Sequence, residues 1–325
     1  MTKRISWKKG MRLTDEVLLA SDRCTAQAVS QSLTLASAGR FGLLPSLRPF
    51  QVSLNVASHS VEVTSLSLTA ITRAGDVIDL QSDSNQIHKF NNNLSLPDRE
   101  AEMFLTIEVE PETWQDTDDG CMEQSYHFEL VTSQTALSDH AMPIAHLVRE
   151  GNAWAEDNTR FAPPAIYISA HHRYMELCTQ LVDVLKEIHE KTKPHAQSPV
   201  KTAISIYWPI VLDTLIQVNT SSEMMTPAML LACIQKVAGG FALACDVDSV
   251  LNLEDAPLFY SFAQVPYDYQ KGFLRIRQGI GMCRAISEKV DKFSLLNAAP
   301  PPPPTPEPRP EPKPDPRRSW LGKQI

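Results

Sequence analysis

Nine histidines, six cysteines and a short run of aspartates are the residues of this chain whose types could do chemistry. His171-His172 could ligate a metal, but neighbours on a helix point about 100° apart, so the pair cannot readily share one ion. His189 and His195 flank a helix end, with no Cys or carboxylate completing a ligand spacing. Asp116, Asp118 and Asp119 could hold calcium; Gly120 falls one place early for an EF-hand loop, and no glutamate stands at its twelfth position. Ala238-Gly239-Gly240-Phe241 lacks the lysine and hydroxyl of a phosphate loop, and Gly279-Ile280-Gly281 lacks the preceding strand of a dinucleotide fingerprint. Close helix packing explains these glycines better. A hydrolase in the β domain would need a pocket gathering His59, His88 or His127 with a carboxylate. The expectation is therefore a protein that binds, with no catalytic residue, cofactor or metal.

Cys24, Cys121, Cys178, Cys233, Cys245 and Cys283 form no C-x-x-C pair, and four fall in helical segments as small apolar residues, which predicts reduced thiols in a cytoplasm. Formal charge is −8, from 30 Lys and Arg against 38 Asp and Glu. The tail beyond Ala298 carries five cations and three anions, leaving −10 on the residues before it, which argues against nucleic acid. The longest apolar runs are broken well short of the roughly 20 residues that span a bilayer, so no membrane insertion is expected. Lys3, Arg4, Lys8 and Lys9 could open a secretion signal, but Asp15, Glu16 and Asp22 interrupt the apolar stretch such a signal needs.

Elements that could position binding residues fall into three blocks, predicting an α+β chain. Residues 1–155 read as a β-sandwich domain. Val52, Leu54 and Val56 alternate, and so do Val61 and Val63, whose phase slips before Leu66 and Leu68 as at a β-bulge. Arg73-Ala74-Gly75-Asp76 reads as a hairpin turn into Val77–Leu80. Met103, Leu105, Ile107 and Val109 form the clearest strand, and Tyr126, Phe128 and Leu130 the next; acidic Glu110–Glu123 between them reads as a solvated loop. Residues 156–297 begin with Pro163-Pro164 and a short strand through Ile166 and Ile168, then turn helical.

Four stripes there carry spacings of four and three. Tyr174, Cys178, Leu181, Leu185 and Ile188 form the first; Ile204, Trp208, Val211, Leu215 and Val218 the second. Leu230, Ile234, Val237, Phe241 and Ala244 form the third, with Thr226-Pro227 as its N-terminal cap; Phe273, Ile276, Ile280, Cys283 and Ile286 form the fourth. A four-helix bundle results, its stripes facing either one another or other copies of the chain. Residues 298–325 form the third block: 11 of the 17 residues from Pro300 to Pro316 are proline, which predicts a disordered, extended tail. Trp320 and Leu321 near its end suit a docking peptide.

Ile5-Ser6-Trp7-Lys8-Lys9-Gly10-Met11-Arg12-Leu13 resembles the opening of the type VI secretion baseplate subunit TssK family, with Trp7, Gly10, Met11 and Leu13 on its pattern. Gly42-Leu43-Leu44-Pro45-Ser46 and Pro163-Pro164-Ala165-Ile166-Tyr167-Ile168-Ser169-Ala170 continue the likeness. Thr14–Leu18 departs from the Pro-Gln-His-Phe-Gln motif of many members, and the tail stands where the family's C-terminal head domain would begin. The resemblance implies a cytoplasmic homotrimer at the inner membrane, whose β-rich shoulder grips TssF/TssG-like wedge subunits through Trp7, Met11 and Leu13. It also implies a helical neck joining three chains through Tyr174, Leu181, Leu185, Trp208, Val211, Leu215, Leu230, Ile234, Val237 and Phe241. The tail, through Trp320 and Leu321, would take over the head's link to the membrane complex. A phage tail or receptor-binding component with the same shoulder and neck is the rival reading.

Overall fold

The computed structural model describes residues 8, 11–37, 39–46, 48–82, 87, 90–116, 122–132, 137–195, 202–247 and 256–296. Expectations for Trp7, His88, Cys121, Asp118, Asp119, Gly120 and the tail with Trp320 and Leu321 fall outside these residues. The fold is mixed α+β, with two antiparallel sheets and six α-helices among the described residues.

The first sheet gathers β1 (Gly42–Leu43), β2 (Gln51–Val56), β4 (Val77–Ser82) and β5 (Asn93–Ser95) around β3 (Ser60–Ile71). Ser53 opposes Ser65 while Leu54 opposes Val63, so Thr64 is the extra residue of the expected bulge. Its hydroxyl donates to the Ser53 carbonyl at 3.0 Å. Because of the slip, Val61 and Val63 share the buried face with Leu66, Leu68 and Ala70. The 73–76 turn joins β3 to β4 as expected, with Gly75 at φ +87°.

The second sheet runs in the order β7 (Met122–Val131), β6 (Glu102–Asp116), β8 (Ala141–Glu150), β9 (Ala153–Glu156). Two parts of the segment expected as an acidic loop are strand instead, since β6 continues to Asp116 and β7 begins at Met122, with Trp114 paired to Gln124 beyond a break in register after Val109; residues 117–121 lie outside the described residues. Backbone pairing asks nothing of side-chain polarity, and Thr113, Trp114 and Tyr126 favour strands. Val63, Leu66, Leu68 and Ile78 of one sheet share a continuous apolar cluster with Leu105, Ile107, Phe128, Met142 and Ile144 of the other.

That cluster runs on into the helices across a clasp. Leu43 N–H donates to the Pro164 carbonyl at 2.8 Å, Ile166 N–H to the Leu43 carbonyl at 3.0 Å, and Ile168 N–H to the Met225 carbonyl at 2.8 Å. The strand expected through Ile166 and Ile168 reduces to one bridge, Leu43 with Ala165, and Ile168–Ala170 form a 3-10 turn. Two prolines leave that segment too few amide donors to extend a ladder. Arginines tie the two halves further: the Arg73 guanidinium lies 4.7 Å from the Phe41 ring and 4.5 Å from the Tyr269 ring, and Arg277 donates to the Thr159 carbonyl at 2.7 Å.

The four stripes fold as α2 (His172–Thr192), α3 (Thr202–Thr220), α4 (Pro227–Val247) and α6 (Gly272–Leu296), which pack on one another. α2, α4 and α6 bury the expected residues. α3 buries Ile204, Val211 and Val218 of its expected five, but Tyr207 and Thr214 are inside where Trp208 and Leu215 were expected, and those two are half-buried. The Thr226 hydroxyl accepts from Met229 N–H at 3.1 Å, capping α4. α4 is long and apolar enough to cross a membrane, yet 61% of its apolar window is buried, against α3, α5 and α6. Two of the four glycines are close-packing residues as expected, since a Cβ on Gly240 would meet Ile210 at 2.8 Å and one on Gly279 would meet Ile234 and Phe262 at 2.6 Å, whereas Gly281 has nothing within 4 Å. Burial pushes the Cys233 thiol up to about 11 and the Cys283 thiol up to about 12, so both act as small apolar side chains. Two helices were not expected, α1 (Asp15–Ala36) and α5 (Ala256–Ala263).

Candidate partner-binding surfaces

α1 begins with Asp15 and Glu16, whose charges suit a helix N-terminus, and buries none of its 22 residues. It touches the first sheet at the 73–76 turn. Ser30 Oγ donates to the Ala74 carbonyl at 2.7 Å, and Gly75 admits Ser30 and Thr34 more closely than a side chain would allow. A groove of about 410 Å³ separates α1 from that turn, lined by Asp22, Ala26, Val29 and Val77. Leading into α1, Met11 and Leu13 are exposed, Leu13 at 68%; on the helix, Leu18 and Leu19 are 47% and 44% exposed and Leu35 82%. Large apolar side chains this open, on one helix beside an otherwise closed sheet, have the composition of a contact surface.

The residues expected to hold copies together lie elsewhere. Tyr174, Leu181, Leu185, Val211, Leu230, Ile234, Val237 and Phe241 are all within 1% of full burial inside a single chain. They have no surface left to offer a second copy. Trp208 and Leu215 retain some, and on the same helix Ile216 is 53% exposed. Trp208 stacks on His189 of α2 with ring centroids 5.6 Å apart.

Of the histidines named for hydrolysis, the two described, His59 and His127, do not converge. His59 pairs with Asp98 at 3.4 Å on one sheet's edge, and both side chains are about three-quarters exposed. His127 lies on the other sheet, 3.4 Å from Glu108 and 3.4 Å from Glu110. His140 meets Asp76 at 2.7 Å, and Thr72 Oγ1 donates to the same carboxylate oxygen at 2.8 Å. Ser138 Oγ donates to Glu108 rather than to an imidazole, and the hydroxyl that does meet an amine and a carboxylate, Ser287 Oγ with Lys191 Nζ at 3.0 Å and Glu187 at 2.8 Å, joins α6 to α2 with none of these histidines in the set.

Two other histidines are buried and structural. His171 caps α2, its Nδ1 accepting from Arg173 N–H at 3.2 Å, with its ring 5.5 Å from that of Phe50 in a cavity of about 460 Å³ between the sheets and α2. Burial first, then the neighbouring His172 and Arg173 charges, drive its pKa down to about 3. His146 stacks on Phe104 at 4.6 Å, and burial lowers it too, against the pull of Glu102 and Asp157. Burial alone would raise the Asp157 carboxyl, but hydrogen bonds from Thr159 and Arg160 hold it down to about 2.

A histidine near 6.5 when unfolded and about 3 when folded binds its proton in the unfolded chain first. Its contribution to stability is therefore present above pH 6.5 and is lost as pH falls toward 3, by up to about 1.4 kcal/mol per pH unit. Asp157 adds a loss only below its usual 3.8. The melting temperature is expected to fall between pH 6.5 and pH 4. His171→Asn, which keeps a capping acceptor without a titrating ring, is expected to flatten that fall. An unchanged slope in the variant would remove His171 as its cause.

Large apolar side chains stand open on α1 and the segment leading into it, and others are scattered over the helices. Solved structures say what this mixed α+β chain is similar to. A crystal structure of TssK aligns over 88% of this chain and 72% of its own, with a TM-score of 0.61 and 12% identity. TssK from the EAEC type VI secretion system, in complex with a nanobody, aligns over 82% and 68%, at 0.56 and 12%. A chain of the type VI TssK-TssF-TssG baseplate subcomplex aligns over 88% and 99%, at 0.55 and 13%. No protein-family model and no curated protein matches the sequence. The chain has a TssK-like fold, as the residues of its opening, its β1 segment and its double proline suggested.

Proposed function

We propose that this chain is a structural, non-catalytic subunit of a type VI secretion baseplate, working as a cytoplasmic homotrimeric connector between wedge and membrane complex. The observation that carries this reading is fold similarity to TssK over both the sheets and the helices, 88% of the chain. In this reading the two sheets are a shoulder sandwich, α2, α3, α4 and α6 a neck bundle, and the tail with Trp320 and Leu321 the link toward the membrane complex. The wedge, TssF/TssG-like, meets the segment from Trp7 through α1, where Met11, Leu13, Leu18 and Leu19 supply apolar anchors. Copies meet along α3 through Trp208, Leu215 and Ile216, because the rest of the stripes is already used inside each chain.

The full chain, purified and weighed by light scattering, is expected to show three copies, and to co-purify with the wedge subunits encoded beside it. Leu18→Glu with Leu19→Glu should abolish wedge binding and leave mass and melting temperature unchanged. A monomer at micromolar concentration, or wedge binding indifferent to the double variant, would overturn the trimer or the α1 contact respectively.

A further inference from the structure

Strand pairing brings together two pairs of side chains from separate strands. Glu108 on β6 sits directly opposite His127 on β7, and period two places Glu110 and Glu129 on the same face, the one turned away from Leu105, Ile107 and Val109. Ligand atoms of Glu108, His127 and Glu129 all lie within 4.8 Å of one another. His127 Nε2 stands 3.4 Å from Glu108 Oε2. For metal bonds of about 2.0–2.1 Å, the edge of a coordination tetrahedron is roughly 3.3–3.4 Å, so this pair is already spaced as two ligands of one ion.

The groups around the three are arranged to aim them. Glu110 Oε1 lies 3.4 Å from the other ring nitrogen, Nδ1, which is buried and makes no protein hydrogen bond. At that separation a small rotation of the ring would let Nδ1–H donate to Glu110, and a carboxylate so placed behind a histidine fixes its tautomer and leaves Nε2 for a cation. Ser138 Oγ donates to Glu108 Oε1 at 2.6 Å, leaving Oε2 for the ion. Among the described residues no Lys or Arg pairs with Glu108 or Glu129, so the cluster carries negative charge that a bound cation would offset.

We propose that Glu108, His127 and Glu129 form a site for a divalent cation of the zinc class, with Glu110 and Ser138 as positioning residues. One nitrogen and two oxygen ligands suit a borderline cation better than calcium or magnesium, which take oxygen sets. Three protein ligands leave the fourth position to water or to a side chain of a partner. The ion would pin β7, the edge strand of its sheet, to β6.

The test is calorimetric titration of the full chain, stripped with a chelator, with zinc chloride alone, and with Co²⁺ to read the visible bands of tetrahedral coordination. One ion per chain is expected. His127→Ala should weaken binding by at least about 100-fold, and Glu110→Gln by about 10–100-fold with the stoichiometry kept. Should His127→Ala fail to fold, Glu129→Gln, on an exposed side chain, is the second variant, with binding weakened at least about 10-fold. His59→Ala and His172→Ala are expected to bind as the parent does. No saturable binding by the parent chain, undiminished binding in the folded site variants, or a loss seen equally with His172→Ala would overturn the site.

Discussion

Gly42→Ala is expected to separate the sheets from the helices, lowering stability by about 2–6 kcal/mol. The residue sits at φ +128°, where a side chain is strained by about 1–3 kcal/mol. Its Cβ would also collide with the Pro164 carbonyl group and stand 2.7 Å from the Ala165 nitrogen, and overpacking of this kind costs a further ~1–3 kcal/mol. The obstacle is backbone, and it cannot give way cheaply. Leu43 N–H and its carbonyl are both bonded across the clasp, and the Leu43 side chain is 1% exposed in the shared core. Gly151→Ala is the control, because Gly151 also has positive φ, +67°, but its Cβ would meet nothing within 4 Å. Urea midpoints should fall much further for Gly42→Ala than for Gly151→Ala. Equal shifts would mean that strain alone acts and that the clasp does not hold the halves together.

Sequence legibility depended on how sharply each segment's pattern singled out one face. α2, α4 and α6 carry large apolar residues at four-and-three spacing with few competitors, and their stripes read correctly. α3 offers adjacent apolar pairs, Tyr207 with Trp208 and Val211 with Leu212, so the period cannot choose between faces. Thr214 settles it from outside the pattern, satisfying its hydroxyl on the Ile210 carbonyl at 2.7 Å and so entering the core. α1 was hidden because Ala, Ser and Thr dilute its apolar residues and no side chain caps it. α5 has only eight residues, too few for a period to show. The His127 cluster depends on register: Glu108-x-Glu110 and His127-x-Glu129 each alternate, but only the pairing of β6 with β7 puts them side by side. What the stripes face was the least legible, since burial against a neighbouring helix and burial against a second copy leave the same pattern.

Phe241→Ala distinguishes those two kinds of burial. The Phe241 ring is 1% exposed on α4 and meets Tyr207 of α3 edge-on at 5.5 Å and Phe259 of α5 at 5.3 Å, all within one chain. Truncation removes the centre of that aromatic row and leaves a cavity that three helices cannot close, which should cost about 3–5 kcal/mol. Leu243→Ala, two residues away and 47% exposed, should stay within about 0.5 kcal/mol. Because the loss falls on the folded chain itself, the fall in urea midpoint for Phe241→Ala should persist at every protein concentration. If the stripe instead joined copies, the variant would dissociate at low concentration while each chain kept its helicity. That outcome would return the neck contact to the buried stripes and take it from the outer face of α3.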